Sequence, residues 1–449
     1  MLEPAPTRST LADGLDASGR SLRLAILCPE VAGHMNPFLT LMHELRGRGH
    51  RLLFVGKLDA ERKVREAGFD FAPIGETEFP PGSWDRSFHR LGELSGRAAL
   101  RYTIGRYRQT ATVLLRDAPE RIAPFKPDGL LVDQTLTPGA TVAELLDCPF
   151  VTVCAALPLN ESAYRPPGVV GWQYADGVWA RLRNRMGNFA FRVAGGSIRA
   201  AINDFRRRSG LKRQASARDT FSPWAQIAQI PEEFDFPFPD RPPCFHYVGP
   251  LHSRESRPAT PFPFERLTGE PLIYASMGTL QNRLQHVFAT IAAACEGLPA
   301  QLVLSQGGGE SDPAADYPGN VIVTSFAPQL ALLERAALAI THAGMNTTAE
   351  ALTQGVPLVA IPITNDQPAI AARIERSGAG VALPLSKLTA ERLREAVVRV
   401  LNDETFHRRA GEMQRAFQSA GGPPRAAEIV ESAIGTGKPV PAVRTIGRS

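Results

Sequence analysis

The chain reads as an α/β protein of two domains, each built on an open parallel sheet with helices on both faces. Three observations predict this. At 449 residues the chain is too long for one typical domain. In both halves short apolar strands alternate with helical stretches, the pattern of parallel sheets. Between the halves, residues 236–264 (FPFPDRPPCFHYVGPLHSRESRPATPFPF) are dense in proline and lack sustained periodicity, as a linker does. The expected boundaries are a loose tail at 1–20, a first domain at 21–240, a linker at 241–264, a second domain at 265–425, and a C-terminal helix and tail at 426–449.

Taken in order, residues 22–28 form a strand that is apolar except for Arg23. Pro37 suits the first position of a helix, which runs to Gly49, and residues 51–55 form the next strand. Residues 129–132 are a buried strand, followed by a helix near 140–146 and a strand at 150–154. Two long excursions, 75–127 and 157–221, interrupt this series and do not read as sheet; the first holds a helical run near 98–116. After the linker come a strand at 272–276, a helix at 283–296, and strands at 301–304, 321–324 and 338–341. A helix stopped by Gly355 and a strand at 358–361 follow, with closing helices at 388–402 and 406–419.

Composition narrows the function classes. The apolar share of 43% fills two ordinary cores. The net charge of +5 comes from scattered arginines. No nucleic-acid motif appears and the basic stretches lack interleaved aromatics, so nucleic acid is not an expected partner. Arg207–Arg213 reads as a solvated helix end ahead of a membrane patch. The five cysteines have no metal-ligand spacing, and a reducing cytoplasm is the simplest setting. Residues 1–20 carry Glu3, Asp13 and Asp16 and no apolar core, so no signal peptide is expected. No apolar run approaches the ~20 residues that span a bilayer. The expected location is cytoplasmic, with at most a peripheral membrane contact.

The richest stretch is Phe326 to Gln367 (FAPQLALLERAALAITHAGMNTTAEALTQGVPLVAIPITNDQ). A strand feeding a glycine turn and then a helix start presents free N–H groups and the positive end of the helix dipole to an anion. His342, Asn346 and Thr347 add side-chain donors there. Asp366 and Gln367 lie just past the next strand, on the carboxyl edge where such sheets bind ligands. A phosphate cradle beside an acid–amide pair points to a nucleotide joined to a hydroxyl-rich group.

This stretch resembles the donor signature of the UDP-sugar-dependent glycosyltransferases of the two-domain GT-B type. Its wording, His-Ala-Gly-x-Asn-Thr followed by Pro-Ile-x-x-Asp-Gln-Pro, is most similar to the bacterial branch holding the zeaxanthin glucosyltransferases. The resemblance implies an inverting enzyme that moves glucose from UDP-glucose to a hydroxyl of an apolar small molecule, such as a carotenoid or other terpenoid. A phenolic or macrolide acceptor, a non-catalytic nucleotide-sugar-binding relative, and an epimerase or hydrolase of similar fold are the competing readings. The large excursions favour an enzyme with a second substrate. No Asp-x-Asp motif occurs, so no metal and no other cofactor is expected.

Roles follow residue by residue. Gly33-His34-Met35-Asn36-Pro37 would set His34 just before a helix, in the cleft. The family uses a histidine there as general base; the bland alternative is a capping or packing loop histidine. Asp133 ends its strand and would orient His34, or else cap the next helix. Asp128 precedes that strand and should lie at the wrong edge. The Ser276-Met277-Gly278-Thr279 turn resembles the family's donor contact, through Gly278 and Thr279. Phe326 would stack on the base and Ala327 pair with its edge, with Gln329 beside them. Many relatives carry Trp at that first position, so with Phe the choice between uridine and thymidine stays open. His342 would hold the diphosphate, with Gly344, Met345, Asn346 and Thr347 around it. Glu350, one turn beyond, would bind the ribose or else be a solvated helix residue. Asp366 and Gln367 would grip the sugar, or cap the helix that begins at Pro368. Gly307–Gly309 reads as a flexible turn. In the excursions Trp84, Phe88, Trp172, Trp179 and Phe191 are expected to form a wide apolar acceptor pocket near His34, or only to pack the excursions down.

Overall fold

A computed structural model describes residues 20–94, 96–253, 260–278, 285–308 and 317–442. It contains two parallel sheets. The first is built from β1 (Arg23–Leu27), β2 (Arg51–Gly56), β3 (Asp70–Pro73), β4 (Gly129–Asp133), β5 (Phe150–Cys154), β6 (Ala225–Ala228) and β7 (Phe245–Tyr247). Their order in space is β3-β2-β1-β4-β5-β6-β7. The second is built from β8 (Leu272–Ser276), β9 (Gln301–Ser305), β10 (Val321–Thr324), β11 (Ala336–Thr341), β12 (Leu358–Ala360) and β13 (Gly380–Ala382). Their order is β10-β9-β8-β11-β12-β13.

Strand β1 shows why these sheets need helices on both sides. Leu24 and Ile26 enter one core while Ala25 and Leu27 enter the other. Alternate side chains of a strand point to opposite faces, so a strand apolar throughout must be covered twice. Both sheets reverse their direction of winding at one place. In the first sheet this lies between β1 and β4, and in the second between β8 and β11. Loops leave a doubly wound sheet on opposite faces at such a point and open a crevice at the carboxyl ends.

Several elements depart from expectation. The first helix runs Ala32–Gly47, so His34 lies inside its first turn and Pro37 within the helix. Strand β7 falls within the expected 241–264 linker, which extends the first sheet beyond residue 240. The excursions are helical, chiefly Ser83–Gly92, Gly96–Ile122, Val178–Ala194 and Gly196–Arg208. A helix at Gly422–Thr436 returns to the first domain, where Ile429, Val430 and Ala433 join the core holding Leu24 and Ile26.

A buried charge cluster ties the halves together. The Asp235 carboxylate accepts from Arg165 Nη1 at 2.6 Å, Arg373 Nε at 2.8 Å and the Tyr247 hydroxyl at 2.8 Å. The two arginines hold its pKa low against the cost of burial. Arg373 belongs to helix Gln367–Ser377 of the second domain, while Arg165 comes from an excursion of the first. Removing Asp235 would leave two buried guanidiniums without a counter-charge.

Candidate active site

His34 follows β1 and Asp133 ends β4, so the first sheet's reversal point brings them together. His34 Nδ1 lies 2.7 Å from Asp133 Oδ2. Asp133 is completely buried, and its Oδ1 accepts from the Thr135 amide at 2.8 Å and the Thr135 hydroxyl at 2.5 Å. It does not cap the following helix, which starts at Gly139. With Nδ1 bonded to the carboxylate, the proton sits there and the Nε2 lone pair is left for chemistry. Burial pushes the His34 pKa down, but the charge and hydrogen bond of Asp133, then the charge of Asp366, more than offset it and raise it. Asp366 comes from the second domain, so the base and the expected sugar grip confront each other. Asp128 lies at the opposite edge, accepting from the Arg23 amide at 2.7 Å where β1 begins.

The second sheet repeats the arrangement. Gly278 follows β8 and His342 follows β11. Gly278 has φ 72°, and any side chain there or on Gly344 would collide with the His342 ring. The imidazole is clasped between two backbones. Desolvation lowers its pKa to about 4, only partly opposed by the Ser276 backbone, so it is neutral near pH 7. Ala343, between His342 and Gly344, takes the left-handed φ of 62°, a strained setting for a residue with a Cβ. Gly344 then occupies the N-cap of helix Met345–Thr353 with no side-chain capping bond, so the first-turn N–H groups remain available. His342 Nδ1, Thr341 Oγ1, Thr348 Oγ1 and both amide atoms of Gln306 are buried and unbonded. These orphaned groups gather at the carboxyl ends of β9 and β11, and buried polar atoms are ordinarily satisfied. Gln306 was missed in the sequence because a glutamine before Gly307 carries no motif.

Other expected donor residues take varied positions. Phe326 is 54% exposed, and its ring lies over Gly308, whose missing side chain makes room for it. Ala327 is half-buried against the core. Glu350 is buried, which excludes the solvated alternative; its Oε2 accepts from Gln329 Nε2 at 2.5 Å. Gln329 in turn accepts from the Tyr274 hydroxyl at 3.0 Å and reaches Thr347 Oγ1 at 3.4 Å. Met345 is buried in the core cluster that also holds Ala343 and Ala349. Asp366 stands at the N-cap of helix Gln367–Ser377, but its side chain makes no capping bond. Burial raises its pKa, opposed first by His34. Gln367 Oε1 is engaged by the amides of Ile363 at 2.9 Å and Thr364 at 3.0 Å, so it shapes the turn that presents Asp366. Thr279 lies outside the described residues.

Asn346 links the two domains. Its Nδ2 donates to the Gly33 carbonyl at 3.0 Å and its Oδ1 accepts from Gln229 Nε2 at 3.0 Å. Both partners belong to the first domain. The Gly33 carbonyl is the one that residue 37 would use in a regular helix, and Pro37 has no N–H to give it. The proline therefore leaves an acceptor beside His34, and the second domain fills it.

The acceptor side also differs from expectation. The Trp84 and Phe88 rings touch at 4.3 Å with their planes tilted by 49°, and the Trp84 amide donates to Asp59. Trp179 is 82% exposed and points away from the protein, so it is no pocket wall. Trp172 carries the Arg183 guanidinium on its ring. The excursions border the cleft through other residues. Gly171 packs on Pro368, beside Asp366. Tyr107, on helix Gly96–Ile122, has its phenol pKa raised by desolvation, then by Asp133, Glu30 and Asp366. Its ring is still 46% exposed, as on the wall of an open cleft. A cavity of about 530 Å³ lined by Phe150, Arg206 and Trp224 lies instead where β5 begins, away from this chemistry.

Residues 102–418 match the family model described as UDP-glucoronosyl and UDP-glucosyl transferase. Zeaxanthin glucosyltransferase of Pantoea ananas is 33% identical over 93% of this chain and 97% of its own length. That of Pseudescherichia vulneris is 32% identical over 91% and 97%. Among solved structures, the glycotransferase of kitacinnamycin superposes with a TM-score of 0.74 at 24% identity, covering 92% of this chain and 98% of that one. The calicheamicin glycosyltransferase CalG4 gives 0.70 at 24% identity, covering 94% and 100%. The two facing parallel sheets are those of the GT-B fold, and the chain belongs to the UDP-glycosyltransferase family.

Proposed function

We propose that this enzyme transfers glucose from UDP-glucose to a hydroxyl of an apolar small molecule, by a single inverting displacement without a metal. The observation that carries the reading is the His34–Asp133 pair, 2.7 Å apart, with Asp366 of the other domain acting on it across the cleft. The acceptor hydroxyl gives its proton to His34 Nε2 as its oxygen bonds to the anomeric carbon. The bond from that carbon to the diphosphate oxygen breaks on the far face, and its electrons leave with UDP. Asp133 stabilises the imidazolium that forms. Asp366 accepts from sugar hydroxyls. The start of helix Met345–Thr353 and the neutral His342 donate to the diphosphate, where negative charge grows. The base would rest on Phe326 and the ribose on Glu350.

A hydroxylated carotenoid is the first acceptor proposed, because the zeaxanthin glucosyltransferases match nearly the whole chain. A cytoplasmic setting accords with free cysteines at Cys28, Cys148, Cys154, Cys244 and Cys295. No helix among the described residues is long and apolar enough to cross a membrane. The test incubates the protein with UDP-glucose and a panel of hydroxylated carotenoids, other terpenoids, phenolics and macrolides. A hexose mass gain on the carotenoids, with a β-anomeric coupling and no loss in EDTA, is expected. Gain on phenolics alone would overturn the acceptor, an α-linkage the inversion, and inhibition by EDTA the metal-free step.

A further inference from the structure

Helix Val178–Ala194 is folded inside out. Its inward side carries Ala180, Asn184, Gly187 and Asn188. Asn184 Nδ2 donates to the Ala163 carbonyl at 3.1 Å and Asn188 Nδ2 to that of Ser162 at 2.8 Å. Its outward side carries Trp179, Leu182, Met186, Phe189 and Val193, with exposures of 82%, 45%, 64%, 60% and 63%. Those positions advance by three and four residues in turn, so they form one apolar stripe along the helix. A helix bathed in water has the reverse arrangement. The helix also holds Arg181, Arg183, Arg185 and Arg192, and no acidic residue or lysine. Arg181 approaches Asp176 at 3.5 Å, Arg192 approaches Glu161 at 3.3 Å, and Arg183 lies over Trp172.

We propose that this helix is a docking surface for an anionic lipid bilayer. Its apolar stripe would lie at the boundary of headgroups and acyl chains, with the arginines on the phosphates. Charge chooses this occupant over a second copy of the chain. Pairing two such helices would set four arginines against four, with no carboxylate on either helix to answer them. A tryptophan at the helix start suits an interface that is apolar on one side and wet on the other. The position also serves the chemistry. The Trp172 ring packs on Gly187, and Gly171 packs on Pro368, so the surface reaches the rim of the cleft beside Asp366. That link to an acceptor dissolved in the bilayer rests on the function proposed above.

The test is co-sedimentation of the full chain with vesicles of phosphatidylcholine alone, or of phosphatidylcholine and phosphatidylglycerol in equal parts. No donor or acceptor is added, so the result does not depend on the proposed reaction. The protein should bind the anionic vesicles and be largely free with phosphatidylcholine. Met186→Glu with Phe189→Glu should weaken that binding about tenfold or more. Arg185→Gln should narrow the preference for anionic vesicles. Both variants should keep transfer to a water-soluble acceptor without vesicles, which also reports that they fold. Absence of vesicle binding by the parent, or equal binding by the double variant, overturns the proposal. So does a parent dimer, measured by light scattering, that the double variant dissolves.

Discussion

His34 and His342 each follow a central strand beside the reversal point of its sheet, β1 on one side of it and β11 on the other, yet their acidities move in opposite directions. Desolvation lowers the pKa of both. His34 has Asp133 at 2.7 Å and is carried above the ordinary value. His342 faces two glycine backbones and, among the described residues, no carboxylate that acts on it, and falls to about 4. The partner, more than the burial, decides what each imidazole can do. One is built to take up a proton, the other to stay neutral and donate a hydrogen bond to an anion. With its pKa lowered, His342 brings no positive charge of its own near pH 7. The helix start brings positive potential to that place.

The contrast can be broken most forcefully at the base. His34→Ala should slow glycosyl transfer by roughly 10²–10⁴-fold and leave the UDP affinity from calorimetric titration nearly unchanged. Activity within a few-fold of the parent would remove His34 from its role. Asp133→Asn should slow transfer by about 10²-fold and move the acidic limb of the pH–rate profile downward, since the charge that raises the His34 pKa is gone. A merely structural Asp133 would lower the rate and leave that limb in place.

At the other histidine the effects are smaller. His342→Ala should weaken UDP about tenfold, the scale of one hydrogen bond to a charged group. It should also change acid stability. A histidine with a depressed folded pKa makes the unfolded chain the better proton binder between about 4 and 6.5, so the protein loses stability as pH falls through that window. The alanine variant should show a flatter melting temperature from pH 7 to pH 4. An unchanged slope would mean that other groups govern it. Smallest of all, Asn346→Ala should lower kcat a few-fold while UDP affinity holds, because its two bonds cross to Gly33 and Gln229. A loss confined to UDP affinity would return Asn346 to the phosphate.

The sequence carried these features unevenly. The apolar strands at both reversal points were legible because parallel sheets demand apolar side chains on both faces. His34, Asp133 and Asp366 were legible because each follows or ends such a strand. Short edge strands were not: β7 has three residues, in a segment whose prolines read as linker. The start of the first helix was misplaced because Pro37 is favoured at a first turn, yet here it sits inside and spares the Gly33 carbonyl for Asn346. Trp179 departed from expectation for a different reason. A tryptophan has the composition of a pocket wall, but direction on a helix depends on which face packs, and helix Val178–Ala194 packs with its small and polar face.

The C-terminal helix Gly422–Thr436 has a consequence for how the protein is made. Ile434 lies so close to Gly129 that no side chain would fit there, and Glu431 accepts from His50 at 2.9 Å and Arg48 at 3.1 Å. The first domain is thus sealed by residues that leave the ribosome only after the whole second sheet has been made. Until they emerge, a strip of its apolar surface stays open, and a nascent chain in that state is prey to aggregation and a client for chaperones. The half that carries His34 is begun before the second sheet and completed after it.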